Sequence, residues 1–260
     1  MKLKEGLRIT KRLLFLGIFI MGCDSRYEVT SYFETGEVKS RVYSADTTGG
    51  ISGEYVEYSK LGDKKMKGRL YNGKRIGEWT YYHPDGSIKA RGIYVDGLKN
   101  GEWVYNPLGN SYQIEWKVYT DSNLFKINIP NDWIIEQAPG LHLIGRKPVV
   151  NETEFGSNFN VSSTGSEQIP GDLQTIAKNT ISQTIEEYKG LSPSILSHDK
   201  TIINNNKAEI YSVHFEGNGV LSISYFIEGE DEIYYLNFFT KIPEKDTLLL
   251  REIAFSFNVI

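Results

Sequence analysis

The chain has 260 residues, 40% of them hydrophobic, 24% charged and 13% aromatic, a balance that excludes wholesale disorder and leaves room for one large domain or two modest ones. A formal charge of -4 and the lack of any basic-aromatic recognition motif argue against nucleic acid as a partner. Seventeen Tyr and 25 Gly against only 3 Met favour strands and tight turns, so a β-rich protein is expected.

The N-terminus places Lys2, Lys4, Arg8, Lys11 and Arg12 before the apolar run LLFLGIFIM at residues 13–21, followed by Gly22 and Cys23. A basic region before a short apolar one is the order of a secretory signal, and nine residues fall short of the roughly 20 that a membrane-spanning helix needs. Cys23 is the sole cysteine, so no disulfide can form within the chain. Ile20-Met21-Gly22-Cys23 resembles the lipobox of bacterial lipoproteins. That resemblance implies cleavage before Cys23, acylation of Cys23, and a mature chain held to membrane lipid with its folded part in an extracytoplasmic aqueous space. The alternative is a free cysteine behind a signal cut elsewhere. Residues 1–22 are therefore expected to be a signal peptide and residues 23–29 a tether. Loss of residues 1–22 removes five basic and one acidic side chain, which takes the charge from -4 to -8.

From residue 30 the chain repeats itself with a period of 24. Gly53-Glu54-Tyr55 aligns with Gly77-Glu78-Trp79 and with Gly101-Glu102-Trp103, and Tyr58, Gly62, Lys65, Gly68 and Gly73 align with Tyr82, Gly86, Lys89, Gly92 and Gly97. An earlier unit begins at Tyr32 and the last stops short after Tyr105, as end units of an array do. Within a unit, EWTYY alternates as a strand, HPDGS is a turn, and IKARGIY is a second strand. Asn72-Gly73 and Asp96-Gly97 are the pairs that favour type I′ turns. One period is thus a hairpin plus the turn to the next, and stacked hairpins cover each other's aromatic rows. Gly53, Tyr55, Gly77, Trp79, Gly86, Gly97, Gly101 and Trp103 are the residues expected to carry the repeat.

These landmarks resemble the MORN-repeat variant of bacteria over about residues 30–108. The resemblance implies a single-layer antiparallel sheet of hairpins acting as an interaction or lipid-contacting platform. Proteins with such repeats are often labelled antitoxins, a label at odds with an export signal. Lys64, Lys65, Lys67, Arg69, Lys74 and Arg75 bunch within 12 residues. They are candidate contacts for anionic headgroups or an acidic partner, against the plainer reading of a solvated strand face whose lysines discourage edge aggregation.

The periodicity fails after Tyr105; the repeat domain is expected over residues 30–116, and residues 117–260 are expected to form a second domain. LFKINIP reads as a strand ending at Pro130. Leu173, Ile176, Ala177, Thr180, Ile181, Ile185 and Tyr188 fall on one helical face, with Asp172 placed as cap and Gly190 as stop. TIIN, AEIYSVHFE, VLSISYFIE and EIYYLNFFT then read as a meander, and residues 243–257 as a closing helix. An α+β sandwich is expected. The element order and the FKINIPNDW motif resemble the PsbP-like fold, which implies binding or assembly roles and carries over no catalytic residue.

Little else points to chemistry. His83, His142, His198 and His214 have no ligand partner at metal spacing, and no nucleophile elbow, phosphate loop or dinucleotide fingerprint occurs. Glu228, Glu230, Asp231 and Glu232 lack the order of a calcium loop. No cofactor, metal or catalytic residue is expected. The sequence reads best as a non-enzymatic, membrane-anchored lipoprotein that binds a protein or envelope component through its repeat sheet. The second reading is an extracytoplasmic, antitoxin-like inhibitor of a toxin. A hydrolase would require a polar cleft around His142 or His198.

Overall fold

In the computed structural model, which describes residues 8–10, 27–44, 50–106, 111–122, 124–151 and 154–260, the chain divides into units Met1–Lys117 and Val118–Ile260. The architecture is β-rich, with two antiparallel sheets and two helices. Cys23 and residues 11–22 lie outside the described residues. Of the expected signal peptide, Arg8–Thr10 form a short strand, β1, against Tyr27–Tyr32 (β2). Strand β2 starts inside the stretch expected as a tether.

The first unit is a sequential antiparallel array. After β2 come β3 (Val38–Ser44), β4 (Gly53–Tyr58), β5 (Lys64–Tyr71), β6 (Lys74–Tyr82), β7 (Ile88–Val95), β8 (Leu98–Tyr105) and β9 (Tyr112–Asp121), each paired with the one before. The division between units falls within β9. The expected type I′ turns are present: φ is 48° and 77° at Asn72 and Gly73, and 50° and 86° at Asp96 and Gly97.

The second unit carries β10 (Phe125–Pro130), β11 (Ile134–Ala138), β12 (Leu141–Arg146), β13 (Asn158–Gly165), α1 (Leu173–Glu187), β14 (Pro193–Ile203), β15 (Asn206–Phe215), β16 (Val220–Glu228), β17 (Glu232–Thr240), α2 (Pro243–Phe255) and β18 (Asn258–Val259). Seven of its strands form an antiparallel sheet in the order β11-β12-β13-β17-β16-β15-β14. Helix α1 begins where Asp172 accepts a hydrogen bond from the Thr175 amide at 2.8 Å. Its Leu173, Ile176, Ala177 and Ile181 pack on Tyr211, Val213, Phe215 and Phe226 of the sheet. On the opposite face Phe125 of β10 meets Phe257 at 4.9 Å and Tyr234 at 6.1 Å, and Tyr225 meets Phe255 of α2 at 6.3 Å between ring centres. The unit is therefore the α+β sandwich expected, with one helix on each face of the sheet. Trp133, three residues beyond the end of β10, is core.

One buried polar knot fastens α2. Asp246 accepts from Lys147 Nζ at 2.7 Å and from Ser157 Oγ, and Ser157 Oγ also lies 2.9 Å from Thr240 Oγ1. Its carboxylate is buried and charge-assisted, so Asp246→Ala should destabilise the fold by about 2–3 kcal/mol, read from the midpoint of urea unfolding.

Candidate functional site

The recurring Gly-Glu-Trp is a bulge. In the ladder of β5 with β6, Lys67 pairs with Thr80 and Arg69 with Ile76, so Gly77, Glu78 and Trp79 together oppose the single residue Gly68. In β7 with β8, Arg91 pairs with Val104 and Ile93 with Asn100, which sets Gly101, Glu102 and Trp103 against Gly92. Gly77 and Gly101 turn the strand at φ 63° and 62°. The indole then folds down onto the opposed glycine. A Cβ at Gly68 would lie 2.2 Å from the Trp79 ring, and one at Gly92 would lie 2.3 Å from the Trp103 ring.

Each indole is closed on every side. Both tryptophans are 0% exposed. Trp79 Nε1 donates to the carbonyls of Arg69 and Ile76 at 3.2 Å each, and Trp103 Nε1 to that of Ile93 at 3.1 Å. Aromatic neighbours continue the row: Tyr55 lies 5.6 Å from Trp79, and Tyr94 lies 5.9 Å from Trp79 and 5.0 Å from Trp103. Cations four residues before each Trp cover the remaining face. The Arg75 guanidinium sits 4.9 Å from the Trp79 centroid, and the Lys99 ammonium 4.5 Å from that of Trp103.

Of the six candidate contacts, Lys64, Lys65, Lys67, Arg69 and Lys74 are exposed, whereas Arg75 is half-buried on the indole and donates to Tyr94 Oη at 3.3 Å. Arg75 thus serves the interior of the sheet rather than its surface. Lys65 pairs with Glu57 at 2.5 Å and Lys74 with Asp96 at 2.6 Å. Alternation along β5 puts Lys65, Lys67 and Arg69 on the face away from Trp79, and the register continues that row through Thr80 to Arg91 on β7. The repeat brings Lys89 and Arg91 to the same positions as Lys65 and Lys67, and both are exposed. Tyr55 is the indole's counterpart in the first hairpin, directly opposite Gly68. Gly53 (φ 140°) heads that strand, and Gly86 (φ 83°) and Gly97 serve turns.

In the second unit, His142 accepts or donates between Asp121 Oδ2 at 3.1 Å (through Nδ1) and Ser163 Oγ at 2.9 Å (through Nε2). The order of groups is that of a carboxylate, a base and a hydroxyl, and Asp121, Gln137 and His142 edge a cavity of about 490 Å³. Ser163, however, is paired with Tyr234 inside a strand instead of being raised on a strand-to-helix turn. His198 contacts Glu209 at 2.5 Å and stacks on Tyr211 at 4.2 Å. A second cavity of about 700 Å³ lies beside α1. Among the described residues, no group of three or more His, Cys, Asp or Glu side chains is arranged to hold a metal, and no helix is long and apolar enough to cross a membrane.

No family model matches the chain. No curated protein matches it either. Among solved structures it is similar to cyanobacterial PsbP (CyanoP) from Synechocystis sp. PCC 6803, at 14% identity over 56% of this chain and 92% of that one, with a TM-score of 0.45. It is also similar to a protein of unknown function, a putative regulator, from Pseudomonas aeruginosa (16% identity, 52% of this chain and 92% of that one, TM-score 0.33). A third similar structure comes from Bacteroides thetaiotaomicron VPI-5482 (14%, 53% and 45%, TM-score 0.33).

Two outcomes are expected. Trp79→Ala should cost about 3–5 kcal/mol and Gly92→Ala about 1–3 kcal/mol in chemical denaturation, the first by a cavity and the second by overpacking. Burial, with a smaller contribution from the positive charge of Arg75, depresses the Lys99 ammonium to about 7. Between that value and the ordinary lysine range the unfolded chain binds the extra proton, so wild-type stability should rise with pH across this window. Urea unfolding of Lys99→Met should lack that rise, and an identical pH slope in both proteins would contradict it.

Proposed function

We propose that the chain is a membrane-anchored lipoprotein, acylated at Cys23, whose MORN-like repeat sheet binds an acidic envelope protein through its basic face, with a PsbP-like domain following. The single observation that supports this reading is the separation of faces within the first unit. One face is consumed by indole-on-glycine packing, while the other carries Lys65, Lys67, Arg69, Lys89 and Arg91, all exposed. Exposed cations arranged in rows contribute little to stability, and they steer and orient an acidic partner. The proposed role is binding and not catalysis, with no cofactor.

The test is capture of the acylated chain from cross-linked, fractionated cells, beside Cys23→Ser and a double variant Lys67→Glu with Arg91→Glu. An envelope protein should be recovered with the wild type, lost with Cys23→Ser, and lost with the charge reversal although that variant keeps its melting temperature. Equal recovery of a small toxic protein from the cytoplasm by all three forms would overturn both the anchor and the basic face, and favour the antitoxin reading.

A further inference from the structure

Helix α1 covers only part of its side of the second sheet. It packs over β15 and β16 through Tyr211, Val213, Phe215 and Phe226, and the cavity of about 700 Å³ opens between it and strands β13 and β17. That volume lies within the span of small-molecule sites.

A sheet face under a helix is ordinarily apolar throughout, whereas this one sets polar side chains among its apolar ones. Alternation along β16 puts Val220, Ser222, Ser224 and Phe226 on the helix side. Ser222 is 7% exposed and Ser224 is 6% exposed, both line the cavity, and among the described residues neither hydroxyl is hydrogen-bonded. Neither oxygen is sealed off, so both hydroxyls present a donor and acceptors to whatever fills the cavity. Next to them the register sets Asn237 of β17 opposite Ser224, and Asn237 Nδ2 donates to Asn160 Oδ1 at 3.3 Å, leaving the Asn237 carbonyl oxygen as an acceptor. From the helix side, Thr180 and Thr184 spend their protons on the carbonyls of Ile176 and Thr180 at 2.9 and 3.0 Å. Their oxygens are left to accept.

The chemistry of the lining selects its ligand. None of the described lining residues is charged, so a phosphate, carboxylate or ammonium entering the cavity would find no counter-charge. Hydroxyls and a carboxamide offer both donors and acceptors. The rings of Phe155, Tyr188 and Phe239 add flat apolar surfaces along the same cavity, and Lys241, outside the lining, rests its Nζ 5.4 Å from the centre of the Phe155 ring. We propose that this cavity binds a neutral sugar chain bearing hydroxyl and acetamide groups. Its hydroxyls and amides engage Ser222, Ser224 and Asn237, and its apolar ring faces lie against the aromatic side chains. This proposal does not depend on the anchor at Cys23 or on the basic face of the repeat sheet.

The experiment is titration of the purified full chain with tri-N-acetylchitotriose, followed by saturation-transfer NMR and calorimetry, with the deacetylated, cationic trimer as control. The acetylated sugar should bind and the cationic one should not. Ser224→Val and Asn237→Leu should each weaken binding roughly fivefold or more, the worth of one hydrogen bond. Ser224→Val should keep the wild-type melting temperature, because the hydroxyl it removes makes no hydrogen bond within the chain, which separates lost recognition from lost folding. Should Asn237→Leu fail to fold, Ser222→Val takes its place. Absence of saturation transfer from the acetylated trimer, equal binding of the cationic trimer, or an affinity unchanged in the variants would each overturn the proposal.

Discussion

A sheet made only of hairpins has no helix within its own unit to lie against its aromatic side chains, and so it must form an interior within its own thickness. The indole seated on a cross-strand glycine does this. Trp79 and Trp103 reach 0% exposure although no helix is described in the first unit, because Gly68 and Gly92 let the rings lie flat against the backbone and the bulges at Gly77 and Gly101 bend the strands to bring them there. The arrangement also dictates what lies above each ring. Arg75 and Lys99 bring long apolar stems and a cationic head, which cover a ring face better than a short polar group would. The same device recurs once in the second unit, where a Cβ at Gly145 would lie 2.2 Å from the Phe159 ring across the β12–β13 ladder.

Because the aromatic face is self-sufficient, the other face of the repeat sheet is released from packing. Val56, Lys67, Thr80, Arg91, Val104 and Gln113 follow one another across it in register, a row of mixed character that no core would select. The second unit solves its packing differently. Its sheet is sandwiched, with α1 on one face and aromatic residues of β10 and α2 on the other, so polar side chains there stand out against an apolar background. Ser222 and Ser224 are informative for that reason.

Much of this was legible in the residues. The 24-residue period set Gly68 with Gly92 and Gly77 with Gly101, and the turn pairs, both helices and the four-strand meander read directly from spacing. What spacing does not distinguish is a glycine needed for its φ from one needed for its emptiness; that depends on which residue lies across the ladder. Arg75 looked like its neighbours Lys74 and Arg69 for the same reason, since its burial is set by a ring four residues on. Strands β11, β12 and β13 lack such a signal. Asn158–Gly165, NFNVSSTG, has little apolar alternation and is a strand because β17, some 70 residues further along, pairs with it along its whole length. The polar parity of VLSISYFIE was visible, but its meaning requires knowing that α1 lies over that face and stops short of β13.

Charge divides along the same line as packing. Residues 53–105 hold ten basic and seven acidic side chains, while residues 118–260 hold ten and nineteen. On the proposed reading, a partner with an acidic surface would be attracted by residues 53–105 and repelled by the second unit. Such steering acts on the rate of encounter and fades once salt shortens the screening length to about 8 Å at physiological ionic strength. The second unit's own cavity is built on the opposite principle. With no charge among its described lining residues it exerts no long-range pull, and the proposed ligand would be selected at contact by hydrogen bonds and ring faces. On the two proposed readings the units would select by different physical means, one by orientation at a distance and the other by chemistry at close range.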